Sequence, residues 1–312
     1  MTHSQHGRSR GSPTVEDRLI VTGASSAFGP SLLALLGSLN LNWPGHPRVR
    51  VYDIGLDDVT LRILGEHGVE AVKVPEFCPH WRKHFTWKIW AWNDLPARSF
   101  LWLDAGLVVL RPLDEVFETI EQLGYFVVPT YHSLTENASE FACGGCRVSP
   151  DFRKGKMTLA GGVIGFRKEG KTREILEESM SIALVEDHIA AREKMHRHDQ
   201  AIVSLLLYRT FGEVLMADGV VYCGWTSPKQ TAEQKIWVHR RMLLPEDQKH
   251  FEAHISGEGS RYLPHDTRAV RRSRVWWRRL LGGPYWRLRG VLHGMRRPTE
   301  SDETPYDGVR ER

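Results

Sequence analysis

The sequence predicts an α/β fold, a mostly parallel central sheet with helices on both faces, from three observations. Short apolar runs of strand length alternate with helix-length segments from residue 18 to about residue 245. The first run, residues 18–24, ends in small residues, as a buried strand feeding a loop does. Hydrophobic residues make up 41% of the 312 positions and charged residues 26%, as in a folded chain and unlike a disordered, collagen-like or multi-span membrane protein.

The elements follow in order. Arg18-Leu-Ile-Val-Thr-Gly-Ala24 is the first strand. Over residues 30–39, Leu32, Leu33, Leu35 and Leu36 make a helix that packs on it. Residues 49–54 are a second strand, 59–67 a second helix and 69–74 a third strand. Phe85-Thr-Trp-Lys-Ile-Trp90 lies on a further helix. Residues 100–104 are a fourth strand, continuing into a short apolar stretch and a helix; 125–129 and 162–166 are a fifth and a sixth strand. Ile175, Leu176, Met180, Ala183 and Leu184 share one face of a helix over 172–193. Asp199 is placed to cap a helix bearing Ile202, Val203, Leu205 and Leu206. Lys235-Ile-Trp-Val238 reads as a last strand, and beyond about Leu244 the sheet pattern fades. The folded unit is therefore expected over 17–260, after a polar leader over 1–16 and before a tail over 261–312.

The net charge of +4 conceals an asymmetry. Between Arg271 and Arg297 stand nine arginines and no acid, so the remaining 33 basic and 38 acidic residues leave the body at −5. The start of the chain has no apolar core of the secretory type, and the longest apolar stretch, 31–41, is about half of the ~20 residues that cross a bilayer. A cytoplasmic protein is expected. Four cysteines are too few for a disulfide scaffold. Cys143-Gly-Gly-Cys146 lacks two further ligands at a spacing that suits zinc, and falls in a flexible loop expected over 132–156, where it could cover an acceptor site. His188 and His196 are expected at the surface.

Thr22-Gly-Ala-Ser-Ser-Ala-Phe-Gly29 looks like the nucleotide loop of short-chain dehydrogenases, with Ala27 where a middle glycine would stand. That family needs a tyrosine followed four residues later by lysine, and none of the eight tyrosines has one. The oxidoreductase alternative lacks its acid catalyst.

A second set of motifs spans the chain. Ala97-Arg-Ser-Phe-Leu-Trp-Leu-Asp-Ala-Gly-Leu-Val-Val-Leu-Arg-Pro-Leu-Asp-Glu-Val-Phe117 resembles the YLDAD…VLRPLDELF segment of GT-A type nucleotide-sugar glycosyltransferases, especially family 8-like enzymes of surface polysaccharide synthesis. In the order that family requires, Val51-Tyr-Asp-Ile-Gly-Leu56 resembles its second strand and turn. The helix with Lys88 falls before the acidic strand, Leu159-Ala-Gly-Gly-Val-Ile-Gly-Phe166 resembles FNAGVMLF, and His198-Asp-Gln-Ala201 resembles a DQD helix start.

The resemblance covers residues 18–245 and implies a GT-A fold, a nucleotide diphosphate-sugar donor and a glycan or lipid-linked acceptor. It implies that Thr22, Gly23 and Ala24 hold the nucleotide base and ribose, with Asp53 beside them, and that Lys88 contacts the diphosphate or the sugar. Gly161 and Gly162 would let the backbone approach the donor sugar, and Asp199 and Gln200 would be the catalytic pair facing its hydroxyls. The resembled enzymes hold a divalent cation, Mn or Mg, on an Asp-X-Asp. Here the donor-site motif is Asp104-Ala105-Gly106: the second carboxylate is missing, which sets metal dependence in question and admits a degenerate transferase that only binds nucleotide or glycan. His239 matches a metal-binding histidine of the family's C-terminal part, while Arg240 with Arg241 offers bidentate diphosphate binding instead. The mixture of Arg with Trp and Leu over 271–297 suits an anionic membrane surface at its inner face, with nucleic acid the less favoured partner.

Overall fold

The computed structural model describes residues 16–190, 196–217, 219–223 and 234–238; the leader through residue 15 and the tail over 261–312 lie outside them. Strand β1 (Glu16–Ala24) leads to helix α1 (Gly29–Asn42), then β2 (Val49–Asp53), α2 (Asp58–Glu66) and β3 (Glu70–Lys73). Helix α3 (Thr86–Asp94) precedes β4 (Ala97–Leu103), β5 (Leu107–Val109), α4 (Asp114–Leu123) and β6 (Tyr125–Ser133). Short helices α5 (Leu134–Asn137) and α6 (Glu140–Gly145) lead to β7 (Met157–Arg167), α7 (Gly170–Ala183) and α8 (Glu186–Ile189). Helix α9 (His198–Phe211), β8 (Val221–Cys223) and β9 (Ile236–Val238) complete the described chain.

Six strands form the main sheet in the order β3-β2-β1-β4-β7-β6. β1 pairs parallel with β2 and β4, and β2 with β3. β7 runs antiparallel between β4 and β6, so the sheet is mostly parallel with one reversed strand. The reversal follows from the connection: β6 returns beside itself through α5 and α6, a broad hairpin that makes antiparallel neighbours. The apolar stretch after Asp104 is itself a strand, β5, in a small second sheet of order β5-β9-β8.

Strands buried on both faces alternate their side chains between two cores. Leu19, Val21, Tyr52, Phe100, Trp102, Ile164 and Phe166 enter the core with α3, α7 and α9. Ile20, Val51, Leu101, Leu103, Phe126 and Val163 enter the other, with α1, α2 and α4. The Asp57 carboxylate caps α2 by accepting from the Thr60 N–H at 2.8 Å, and Gly124 at φ 83° stops α4 in the left-handed conformation.

Two expectations are corrected. The helix over 172–193 ends at Ala183: the backbone turns extended at Val185 (φ −95°, ψ 106°), and α8 then returns Ile189 to the core. The segment 132–156 is ordered. Ser133 and Ser139 cap α5 and α6 through their hydroxyls, and Leu134, Ala138, Ala142, Cys143 and Cys146 are buried in the core beside α9. Burial pushes the Cys146 thiol above its ordinary value, with Arg209 opposing. Arg209 ties the layer together, donating to the Cys146 carbonyl at 2.7 Å and forming a two-pronged pair with Glu178 of α7. No helix among the described residues is long and apolar enough to cross a membrane.

Gly165 of β7 lies opposite Leu101 of β4, and a methyl group there would overlap Ile120 of α4 and sit 3.2 Å from the Phe100 carbonyl oxygen. Gly165→Ala is expected to cost about 1–3 kcal/mol by overpacking, read as a melting temperature several degrees lower.

Candidate active site

The sheet winds from β1 outward to β3 and resumes with β4 on the other side of β1, so its direction of growth switches between β1 and β4. Open α/β sheets bind ligands in the crevice at such a point, beyond the carboxyl ends of the strands. The register sets Ala24 beside Asp53, and the parallel β4 delivers Asp104 to the same edge.

At that edge three segments converge on Lys88. Asp104 follows β4, and its N–H donates to the Gly162 carbonyl of β7 at 2.9 Å. The Trp102 indole N–H donates to Asp104 Oδ1 at 2.7 Å. Lys88, in the first turn of α3, donates from Nζ to the same Oδ1 at 2.8 Å and to the Gly161 carbonyl at 2.7 Å. Asp199 Oδ2, on α9, stands 3.6 Å from Nζ, beyond hydrogen-bond length but within ion-pair range. The ammonium also lies 5.0 Å from the centre of the Trp102 ring and 5.8 Å from that of Trp92. Lys88 and Asp199 are each 3% exposed, whereas Asp104 keeps 40% of its side chain open.

The glycines make room for this arrangement. A methyl group at Gly161 would come 2.6 Å from Gln200 Cγ and 2.9 Å from Asp199 Oδ2; one at Gly162 would come 3.1 Å from Asp104 Oδ2. A side chain at either glycine would thus collide with the acidic side chains or with Gln200, which is half-buried.

Asp199 is not the N-cap of α9. Arg197 occupies that position without a side-chain cap, and Asp199 sits in the first turn with its carboxylate turned into the protein. Burial holds the Asp199 carboxyl above the ordinary carboxylate range, Lys88 pulls it down and Asp104 adds to the rise. The helix starts from His198 in a left-handed conformation, φ 40°, and α3 likewise follows His84 and Phe85 at φ 55° and 58°.

The rings of His84, Phe85 and His196 all pack on His198, at 5.2, 5.9 and 5.5 Å between centroids. His196 is 5% exposed, contrary to the surface position expected. Its Nδ1 accepts from the Ser139 N–H at 3.2 Å, and burial, then the neighbouring His198, push its pKa down to about 4.

The remaining residues lie around the same edge. Thr22 and Ala24 are buried, and the Thr22 hydroxyl has no hydrogen-bond partner among the described residues. A methyl group on Gly23 would come 2.6 Å from the Trp87 ring, and one on Gly29 would come 2.7 Å from Thr60 Oγ1. Both outer glycines of the dehydrogenase-like pattern therefore serve internal packing. Asp53 Oδ1 accepts from the Gly55 and Leu56 N–H groups at 2.7 and 2.6 Å and so shapes the turn after β2. Ala105 is buried and Gly106 half-buried. His239 and Arg240 lie outside the described residues.

The described residues do not fit a divalent cation. Hard cations take six or more oxygens, but Asp104 Oδ1 already serves Lys88 and Trp102, and Gly106 brings no side-chain oxygen. Among the described residues no group of three or more His, Cys, Asp or Glu side chains is arranged to hold a metal.

No protein-family model matches the chain, and a comparison with characterised proteins finds no match. Solved structures do resemble it. The galactosyltransferase LgtC, in complex with donor and acceptor sugar analogues, superimposes with a TM-score of 0.51 at 15% identity, over 80% of this chain and 99% of that one. The bifunctional glycosyltransferase WbbM, in its apo structure, gives a TM-score of 0.53 at 12% identity, over 84% of this chain and 52% of that one. The chain has the GT-A fold. In this GT-A fold, Lys88, Asp104, Gly161, Gly162, Asp199 and Gln200 are one cluster at the switch-point crevice, with residues 22–24 and Asp53 along the same sheet edge.

Two buried groups of this GT-A site give opposite pH dependences. The native state keeps His196 neutral down to about pH 4, against an ordinary 6.5, so the unfolded chain takes up that proton first. Stability present above pH 6.5 is lost on acidification, about 3 kcal/mol by pH 4, and His196→Gln should flatten that limb of a melting-temperature profile. Asp199, with its raised pKa, favours the native state at low pH, and that contribution is lost as pH rises through its native value. The melting temperature of Asp199→Asn relative to the unaltered chain should therefore climb as pH rises above the ordinary aspartate range.

Proposed function

We propose that this chain is a family 8-like glycosyltransferase that moves a hexose from a nucleotide diphosphate-sugar to a hydroxyl of a surface glycan or lipid-linked precursor. The observation that carries this reading is the Lys88–Asp104–Asp199 cluster with Gln200, set at the β1/β4 switch point of a GT-A fold. LgtC, similar in fold, is described with donor and acceptor sugar analogues.

In the reaction the bond from the sugar anomeric carbon to the diphosphate oxygen breaks, and a bond from that carbon to the acceptor oxygen forms. The nucleoside diphosphate leaves with the bonding pair, and its departing oxygen takes up the proton that the acceptor hydroxyl gives up. The anomeric centre passes through an oxocarbenium-like state. Gln200 and Asp199 act as hydrogen-bond partners of the sugar hydroxyls next to that centre. Residues 22–24 and Asp53 border the base and ribose, and Asp104, with Ala105 and Gly106, borders the ribose or diphosphate. Arg240 with Arg241 completes the diphosphate contact by bidentate bonds, and the arginines over 271–297 hold the enzyme to an anionic membrane surface near a lipid-linked acceptor.

A second reading is favoured by the absent carboxylate at Gly106: a transferase fold that binds nucleotide or glycan without turnover. Donor hydrolysis separates the two. The dehydrogenase alternative loses support where Trp87 and Thr60 fill the space next to Gly23 and Gly29.

The purified full chain is to be melted with UDP, GDP, ADP, NAD and NADP. One nucleoside diphosphate at a hundred times its Kd should raise the melting temperature by about 5–10 °C, and the nicotinamides should not. A shift with NAD or NADP alone would sink the transferase reading. Gln200→Ala should lower donor hydrolysis or transfer about a hundredfold while leaving the nucleotide-induced shift in place.

A further inference from the structure

We propose that the Lys88 ammonium is the resident cation of this site, standing where a divalent metal would be held, and that nucleotide binding beside Asp104 is independent of metal. The identity of the nucleotide rests on the glycosyltransferase reading above; the exclusion of a metal at Asp104 does not.

Three separate segments supply oxygens to one cation: Asp104 Oδ1 at 2.8 Å after β4, the Gly161 carbonyl at 2.7 Å on β7, and Asp199 Oδ2 at 3.6 Å on α9. Two tryptophan faces, Trp102 and Trp92, cover it. This is the environment a buried metal receives, built for an ammonium. The stem of Lys88 is 3% exposed and fixed to the first turn of α3, so the charge cannot swing out of the site. An incoming divalent ion would have to use Asp104 with a fixed positive charge bonded to the same carboxylate, and like charges at that range repel strongly in a partly desolvated crevice. Gly106 supplies no oxygen to compensate.

The pairing also solves the problem a metal solves. A bare carboxylate in the crevice would repel a diphosphate. Here the Asp104 carboxylate shares its charge with Lys88, while its 40% open face still accepts hydrogen bonds from ribose hydroxyls. The resemblance implies that Lys88 contacts the diphosphate or the sugar; its bond to Asp104 and its 3% exposure suit a positioning and neutralising group that acts through that residue.

The test is a Mn(II) titration of the full-length chain, read by the loss of the free-ion electron paramagnetic resonance signal. The unaltered chain and Asp104→Asn should bind Mn(II) equally weakly. Lys88→Met, which keeps the stem and removes the charge, should gain a site about tenfold tighter or more, and Lys88→Met with Asp104→Asn should lose it. Gly106→Asp alone, with Lys88 in place, should gain no such site. Mn(II) binding by the unaltered chain that Asp104→Asn abolishes would overturn the proposal. So would a new site in Gly106→Asp, or a folded Lys88→Met that gains none. If Lys88→Met does not fold, the unaltered chain, Asp104→Asn and Gly106→Asp still decide. In parallel, a nucleoside diphosphate should raise the melting temperature equally in EDTA and in Mn(II), and a shift that needs Mn(II) counts against the resident cation. If no nucleoside diphosphate shifts the melt in either buffer, the glycosyltransferase reading falls, and the titration alone settles the cation.

Discussion

A buried ammonium has to be surrounded by acceptors, because its desolvation costs several kcal/mol that only close, well-aimed oxygens offset. Around Lys88 that requirement organises three elements distant in sequence. Helix α3 must direct its first turn at the end of β4, α9 must bring Asp199 up from the other side, and β7 must offer a carbonyl with no side chain in the way. The two helices meet the constraint in the same manner, each entered from non-glycine residues in left-handed geometry, His84 and Phe85 before α3 and His198 at the start of α9. Such residues cost roughly 1–3 kcal/mol each. The rings of all three pack together, so the strained entries support one another.

The reversed strand matters for the same reason. In an all-parallel sheet, the strand beside β4 would bring its own carboxyl end to the edge where Asp104 emerges. Because β7 runs the other way, its first half lies there instead, and Gly161 and Gly162 come against Asp104 while Gly165, farther along, makes room for α4. One strand thus carries two different clearances on its two faces, one for charged groups and one for an aliphatic side chain.

Much of the architecture was legible in the sequence because the central strands are covered on both faces and must be apolar throughout. Residues 18–24, 49–54 and 100–104 announce themselves in that way. Direction is not so encoded: residues 162–166 are as apolar in a reversed strand as in a parallel one. The segment 132–156 reads as a loop because its glycines and polar residues mask an apolar spacing of four at Leu134, Ala138, Ala142 and Cys146; the serine caps at Ser133 and Ser139 are what mark its helices. At the site, the order of motifs singled out Lys88, Asp104, Asp199 and Gln200, which the fold brings together at one sheet edge. Their partners were beyond reach, since no pattern of spacing says that a lysine will bond a carboxylate sixteen residues on rather than a ligand. Nor does a histidine-rich stretch reveal which ring is buried, as His196 is.

The buried pair Cys143 and Cys146 has a consequence for how the molecule can be interrogated. A thiol reacts as its thiolate and only where a reagent can reach it, and both side chains are fully buried in the core that α6 shares with α9. Their modification by a thiol reagent therefore proceeds no faster than that layer opens. Since α9 also carries Asp199 and Gln200, the pair is a native clock for how often the floor of the crevice comes apart.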